Sequence, residues 1–152
     1  MLGTIRTFDM ELDAFLIKRI EEIAKNAANE VGAKAVLDTS LKAFVVYNNP
    51  YISGLVLDSA KKIVGEDNIV KMPEKLSSED FSRYLTKKPG VFLRLGTRNE
   101  EKGCTTLPHN NDFMIDEDAF VSGSDTCVQF VLDNMNGIDM KKAEASDERM
   151  KK

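Results

Sequence analysis

An amphipathic pattern between Met10 and Val31 is the feature that most constrains the fold of this chain. Its apolar residues recur three or four positions apart, so they share one face of an α-helix. Asp9 can cap the start of such a helix, and Gly32 can cap its end. The sequence therefore predicts a helix over residues 10–31 with one buried stripe. The stripe consists of Leu12, Leu16, Ile20, Ile23, Ala27 and Val31.

Short runs typical of β-strands flank this helix. Residues 3–9 alternate in polarity, and residues 33–38 and 41–47 are rich in β-forming side chains, with a possible bend at Thr39-Ser40. The first unit is thus predicted to be strand, helix, strand. The segment Asn48-Asn49-Pro50 suits a turn and disfavours helix before the proline, so we place a domain boundary there.

A second unit is predicted to alternate helices and strands. Its helices are expected at 51–64, from Ser77 or Ser78 to Leu85, and at 116–135, and its strands at 68–72 and 91–95. In the last helix, five side chains are predicted to face the core. The polar residues from 138 to 152 are expected to form a solvated tail. The five residues are Phe120, Cys127, Val128, Val131 and Met135.

Composition excludes several classes of protein. A chain of 152 residues with 42% hydrophobic content is expected to fold, and its net charge of -4 disfavours nucleic acid and anionic membranes as partners. It has no apolar run near the roughly 20 residues of a spanning helix and no signal peptide, so a cytoplasmic location is expected. Cys104 and Cys127 are too few for a disulfide framework and are predicted to be reduced thiols.

His109, the sole histidine, lies in a predicted loop that spans residues 96–112. Imidazole is a common ligand of divalent metals, but a metal site needs about three or four protein donors. Cys104 lies five residues earlier and could join it, although two donors still fall short, and an inert thiol is the favoured interpretation. Taken alone, the residue types favour a surface histidine over a metal ligand.

Three charged residues are further candidates for substrate binding. Arg6 on a predicted strand could hold a substrate carboxylate with two hydrogen bonds, or it could simply be solvated. Glu79 and Asp80 could face a cleft as an acid and base pair, or they could stabilise the start of a helix by their charge. For Arg6, and likewise for Glu79 and Asp80, the substrate-binding role and the purely structural role both stay open.

Four segments together resemble a known family. They are Gly3-Thr-Ile-Arg-Thr-Phe-Asp9, Ser78-Glu-Asp-Phe81, the segment 95–103, and His109-Asn110 followed by Phe113 and residues 115–118. In order and spacing they resemble the metal-dependent amidohydrolases of bacteria and plants, which include hippurate hydrolase, N-acyl-L-amino-acid amidohydrolase and the auxin-conjugate hydrolases. The resemblance runs from Leu2 to Met135 and covers the C-terminal part of such an enzyme.

This resemblance implies an α/β fold in two parts. Residues 1–47 would form half of a split βαβ lid domain, which could also serve in dimerisation, and residues 48–137 would form the C-terminal part of an α/β di-metal hydrolase domain. His109 matches the last metal ligand of the family, whereas the catalytic glutamate and the other ligands precede the matched region. Ser77 and Asn111 depart from the usual glycine and proline, which puts the local loop conformation in question.

The resemblance also implies a function for the complete enzyme. Two divalent ions, manganese, zinc or cobalt, would activate water to cleave the amide of an N-acyl amino acid or small peptide. This chain is expected to be inactive alone, without catalytic residues or tight metal binding of its own. Alternatives are a non-catalytic binding or assembly module and a complementing subunit of a split hydrolase. Strands that lack their partners are expected to drive a homo-oligomer or association with the missing N-terminal half.

Overall fold

A computed structural model describes residues 1–39 and 43–147, and the regular structure within these ranges is helical. The α-helices are α1 (Met10–Glu30), α2 (Pro50–Val64), α3 (Ser82–Leu85), α4 (Ala119–Asp133) and α5 (Met140–Ser146), and a 3-10 helix spans Glu66–Asn68. The first compact unit combines Met1–Tyr47 with Pro73–Lys88. The second combines Asn48–Met72 with the chain from Pro89 onward.

The ends of α1 are defined by the residues that the sequence indicates. Asp9 Oδ1 accepts hydrogen bonds from the backbone N–H groups of Glu11 at 2.7 Å and Leu12 at 3.0 Å. At the other end, Gly32 adopts a φ of 69°, and its N–H bonds to Asn29 O while Ala33 N–H bonds to Ala28 O. This pair of bonds is a Schellman motif, which glycine favours because it has no Cβ. The predicted helix and both caps are confirmed, with α1 ending at Glu30.

The predicted burial of the α1 stripe is wrong. None of the α1 residues is buried, and Ile23 is 58% exposed. The spacing of apolar residues shows which face of a helix could be covered, but burial requires a second element against that face. In the described part of the first unit no sheet forms to provide that cover.

The second unit has a core between α2, α4 and α5. Ile52, Val56 and Ala143 are buried there, and Tyr51, Val91 and Phe130 pack against them. Asn49 caps α2 through its Oδ1, Pro50 occupies the first helical turn, and Gly65 ends the helix with a φ of 79°. The predicted helix over 51–64 is therefore confirmed. None of the helices in the described ranges has an apolar stretch long enough to cross a lipid bilayer.

A solvated tail was predicted over residues 138–152. For residues 138–147, which the structure describes, this prediction is wrong. Met140–Ser146 is a helix whose Ala143 is fully buried. Lys142 Nζ lies 4.6 Å from the centroid of the Tyr51 ring on α2, a cation–π contact. Asp139 caps this helix by accepting from Lys142 N. Burial of Ala143, together with the cation–π contact and a hydrogen bond from Asn49 Nδ2 to Ala143 O, therefore docks a segment whose composition is mostly polar.

None of the predicted strands is seen in the described residues. The expected strands at 3–9, 33–38, 68–72 and 91–95 and the described part of 41–47 carry no ladder, while residues 40–42 lie outside the described ranges. Within those ranges, the only isolated bridge joins Asn99 and Cys104. A strand exists through hydrogen bonds to a neighbour, so β-forming side chains alone do not make one. The helical part of the predicted α/β class is confirmed.

Two helices differ from prediction in extent or orientation. The helix expected from Ser77 or Ser78 is reduced to Ser82–Leu85, and α4 covers 119–133 where 116–135 was expected. The face of α4 predicted to be inward is exposed, including Cys127. Instead, Phe130 packs α4 against the core. Gly123 faces Leu95 so closely that a Cβ at position 123 would lie only 2.9 Å from Leu95 Cδ2. The exposed apolar residues of this face are Phe120, Val121, Val128, Val131, Leu132 and Met135.

A polar contact also joins α2 to α4. Ser59 Oγ donates to Asp133 Oδ2 at 2.7 Å, and Lys62 Nζ and Gln129 Nε2 donate to Asp133 Oδ1 at 2.6 and 2.8 Å. The hydrogen bond from Lys62, followed by that from Ser59, lowers the pKa of Asp133 to about 2 from the ordinary 3.8. The ionised carboxylate is therefore favoured in the folded chain.

This contact predicts a pH dependence of stability. Because the pKa of Asp133 is lower in the folded state, its contribution is complete above the unfolded value and is lost as the pH falls toward about 2. Asp133→Asn should destabilise the chain near neutral pH and flatten its loss of stability in acid. Urea unfolding at about pH 6 and about pH 3 measures both effects. Equal acid sensitivity in wild type and Asp133→Asn would contradict this assignment.

Candidate functional site

His109 lies at an exposed turn of the second unit, in the stretch of sequence that follows α3 and precedes α4. Its φ of 70° is in the left-handed region, where histidine is one of the few residues other than glycine that occur with some frequency. Asn110 Nδ2 donates to Leu107 O at 2.8 Å, and Phe113 N donates to Asn110 O, which closes the turn around it. Among the described residues none bonds to the imidazole, so both ring nitrogens are available.

The two ends of the loop that carries His109 are joined by backbone hydrogen bonds. Asp116 N donates to Thr97 O at 3.0 Å. Near the first end, Asn99 and Cys104 form an antiparallel bridge with two bonds of 3.0 and 2.8 Å, and Gly103 adopts the positive φ that this tight turn requires. The loop therefore starts and finishes at one place in the second unit.

Four polar residues reinforce this closure, and we call them the Asp116 cluster: Asn99, Lys102, Asp116 and Asp118. Asn99 Nδ2 donates to Asp116 Oδ2 at 2.6 Å, and Lys102 Nζ donates to Asp116 Oδ1 at 2.6 Å and also to Asp118 Oδ2. The Lys102 ammonium, and then the Asn99 amide, hold the pKa of Asp116 below its usual value. The two carboxylates in turn raise the pKa of Lys102. The cluster thus favours the charged forms of Asp116 and Lys102.

Sequence reasoning did not identify this cluster. All four residues lie within the segments 95–103 and 115–118 that carry the family resemblance, which was the signal that could have pointed to them. Their pairing, however, depends on how the chain returns after residue 112. Charge and spacing along the sequence do not indicate such a return.

A cavity of about 530 Å³ lies beside the loop in the same unit. Its walls include Arg94, Arg98, Leu107, Pro108 and the buried Cys104. Arg98 is already engaged, because it donates to Thr105 O at 3.0 Å and to Glu100 Oε1 at 3.1 Å. Leu107 and several other lining side chains are largely exposed, so this is an open apolar depression with a cationic edge.

The other predicted site residues belong to the first unit. Arg6 is exposed, and Glu79 Oε1 accepts from Phe81 N at 3.2 Å while Asp80 O accepts from Arg83 N. Glu79 and Asp80 precede Phe81, the N-cap residue of α3, and the first turn of α3 holds no acidic residue, so the predicted placement of the two carboxylates in a first helical turn is wrong. The substrate-binding roles of all three stay predictions. In the described ranges, no three acidic, cysteine or histidine side chains are close enough together to hold a metal ion.

Comparison with known proteins identifies relatives that hydrolyse or deacetylate. The chain is 32% identical over 125 residues to thermostable carboxypeptidase 2 of Saccharolobus solfataricus, a match that covers 82% of the chain and 31% of the relative. It is 29% identical over 126 residues to IAA-amino acid hydrolase ILR1-like 6 of Arabidopsis thaliana, covering 80% of the chain and 27% of the relative. It is 28% identical over 96 residues to N-acetyldiaminopimelate deacetylase of Brevibacillus brevis, covering 63% and 26%.

Over about four fifths of its length the chain is similar to amidohydrolases and peptidases, as the C-terminal part of such a protein. The amidohydrolase resemblance stated from the motifs is thereby confirmed. No family model matches the chain. No solved structure matches it either.

The similarity to amidohydrolases and peptidases does not extend over a complete relative. The chain spans about a third of the length of the first relatives it matches. The activity, substrates and metal content of a whole family member are therefore proposals for this protein.

Proposed function

We propose that this chain forms the C-terminal part of an amidohydrolase that cleaves the amide bond of N-acyl amino acids or small peptides. The observation that carries the proposal is the exposed His109 imidazole, which has no partner among the described residues and lies on a loop closed at its base by the Asp116 cluster. The relatives at 27–32% identity support the reaction class. By itself the chain is proposed to be inactive.

The fold of the assembled enzyme is proposed to be α/β. Residues 1–47 would form half of a split βαβ lid, and residues 48–137 would form the return into the hydrolase domain. Segments such as 33–38 and 91–95, which have β-forming side chains but no ladder, would then pair with strands outside the matched region. The exposed stripe of α1 and the exposed face of α4 would gain cover in the same step.

Residues of this chain fit one position of a metal centre. An exposed neutral imidazole is a suitable donor for manganese, zinc or cobalt, and the remaining donors would come from outside the described residues. A pair of divalent ions supplies Lewis acidity toward the amide carbonyl and activates water. His109 would orient one ion by its ring position, and Arg6 would hold the substrate carboxylate. Glu79 and Asp80 would line the substrate cleft.

The second candidate is a non-catalytic assembly module. The observation that favours it is the extent of exposed apolar surface on α1 and α4. Patches of that kind mark interaction surfaces, so a homo-oligomer or a complementing subunit of a split hydrolase is consistent with them. The two candidates differ in whether His109 matters for activity.

Complementation tests the proposed activity. The chain is assayed with hippurate and N-acetyl amino acids plus manganese, zinc or cobalt, alone and after co-expression with the part of thermostable carboxypeptidase 2 that it does not match. We expect no turnover alone, metal-dependent turnover of the mixture, and loss of that turnover in His109→Ala, because the last metal donor is removed.

Two controls make the complementation decisive. The first is the carboxypeptidase split at the same position, which shows whether separated halves can assemble. The second is Glu101→Ala, which changes an exposed residue of the loop over 96–112 and keeps the His109 imidazole. If the split carboxypeptidase is active and the mixed halves are equally active with or without His109, the metal role of His109 is wrong. Turnover by the chain alone that depends on His109 would overturn its proposed incompleteness.

A further inference from the structure

The loop that presents His109 is long and has few internal supports. Between Thr97 and Asp116 the described residues contain no regular element beyond the Asn99–Cys104 bridge. Inside the turn, Thr106 Oγ1 donates to Asp112 Oδ2 at 3.2 Å and Asn110 Nδ2 donates to Leu107 O. These contacts are all exposed, and exposed hydrogen bonds contribute little because water competes for both partners. The position of His109 therefore depends on what holds the ends of the loop.

One carboxylate adds side-chain contacts to the backbone hydrogen bond from Asp116 N to Thr97 O that joins these ends. Asp116 receives Lys102 and Asn99 from the beginning of the loop, and its side chain is only 14% exposed. Asp118 is 84% exposed, so its bond to Lys102 is the more strongly screened of the two. A half-buried ion pair with an additional amide donor is stronger than a surface pair. Lys102 is the cation that completes this arrangement.

The backbone at His109 gives this restraint a role beyond closing the loop. A residue other than glycine with a φ of 70° is in a conformation that costs on the order of 1 kcal/mol and persists only where its surroundings enforce it. If the loop ends separate, the turn can relax and the imidazole changes direction. A metal ligand needs a fixed direction, since donor atoms must be held within about 0.5 Å of their working positions.

We propose that Lys102 is a positioning residue for His109, acting through Asp116. This inference rests on the proposed function, in which His109 is a metal ligand. It assigns to the Asp116 cluster the task of keeping the His109 turn in one conformation before any metal is bound.

The test uses the sole histidine as a probe in the full chain. Backbone order parameters of residues 105–112 and the signals of the His109 ring are measured by NMR for wild type, Lys102→Gln and Lys102→Arg. We expect order parameters of the loop to fall from about 0.85 to below about 0.6 in Lys102→Gln, and to recover in Lys102→Arg because the cation is restored. Those of α2 and α4 should not change.

The control variant is Lys61→Gln, which removes a surface ion pair with Glu66 in the same unit at 2.9 Å. It should leave residues 105–112 unchanged. Unchanged order in Lys102→Gln would overturn the positioning role. A loss of order in α2 and α4 together with the loop would also overturn it, because Lys102 would then act on general stability.

A zinc titration separates this inference from the function on which it rests. Zn²⁺ alone should shift the His109 ring signals of wild type, and in Lys102→Gln a higher zinc concentration should be needed. A wild-type ring that does not respond to Zn²⁺ counts against the metal role of His109. An equal response in both proteins counts against positioning by Lys102.

Discussion

Ala143→Asp is expected to release α5 from α2 and to lower the free energy of unfolding by about 3 kcal/mol, the scale for burying an unpaired charge or losing the contacts that it displaces. Ala143 is fully buried in the cluster with Ile52 and Val56. A carboxylate there must either remain unsolvated or force the helix away. Release would also remove the hydrogen bond from Asn49 Nδ2 to Ala143 O. Urea unfolding followed by far-ultraviolet circular dichroism measures the change.

Ala145→Asp is the matched control for this prediction. It places the same side chain on the same helix, two residues later, at an exposed position. Its effect should stay within about 0.5 kcal/mol, as for most surface substitutions. If both variants unfold at the same urea concentration as wild type, residues 140–146 are a solvated tail and the docking of α5 is wrong.

The contrast between α5 and α1 shows what the sequence can indicate. At α1, Asp9 and Gly32 act through their own backbone neighbours, so the helix and its caps follow from local chemistry. The limits predicted for the helix over 51–64 agree in the same way with α2, which begins at Pro50 and is capped by Gly65. Helix α5 is held instead by Ala143 against a helix about 90 residues earlier. Its composition alone does not indicate such a contact.

Strands and burial could not be predicted for a related reason. A strand at residues 33–38 or 91–95 needs a neighbour, and the described residues provide none. The same limitation explains why Ile23 and Cys127 are exposed although their helical spacing is apolar. In each case the side chains predicted a preference correctly, while the outcome depended on a second element.

In the candidate site, too, the features set by neighbouring residues could be predicted, and those set by distant residues could not. That His109 lies in a loop could be predicted from the glycines, proline and asparagines around it. Its left-handed backbone and the union of Asn99 and Lys102 with Asp116 could not, because they arise from the return of the chain over about 15 residues. The metal role of His109 came from the family resemblance.

Asn49→Ala is expected to destabilise the chain by roughly 2–4 kcal/mol, since it removes a helix cap and leaves buried polar groups without partners. The Asn49 side chain is completely buried. Its Oδ1 accepts from Ile52 N and Ser146 Oγ, each at 3.1 Å, and its Nδ2 donates to Ala143 O at 2.8 Å. One side chain thus joins the first turn of α2 to the last turn of α5.

The neighbouring Asn48 provides the control. Its side chain also makes two hydrogen bonds, accepting from Phe92 N at 2.8 Å and donating to Phe92 O at 3.0 Å, but both are exposed. Asn48→Ala should therefore cost about 1 kcal/mol or less, because water replaces the lost partner. Asn49→Asp separates the two roles of Asn49, since it keeps the cap on Ile52 N and turns the donor to Ala143 O into a repelling acceptor. Urea midpoints should fall in the order wild type, Asn48→Ala, Asn49→Ala, and Asn49→Asp should lose the α5 contact. Equal midpoints for Asn48→Ala and Asn49→Ala would show that Asn49 does not join α2 to α5.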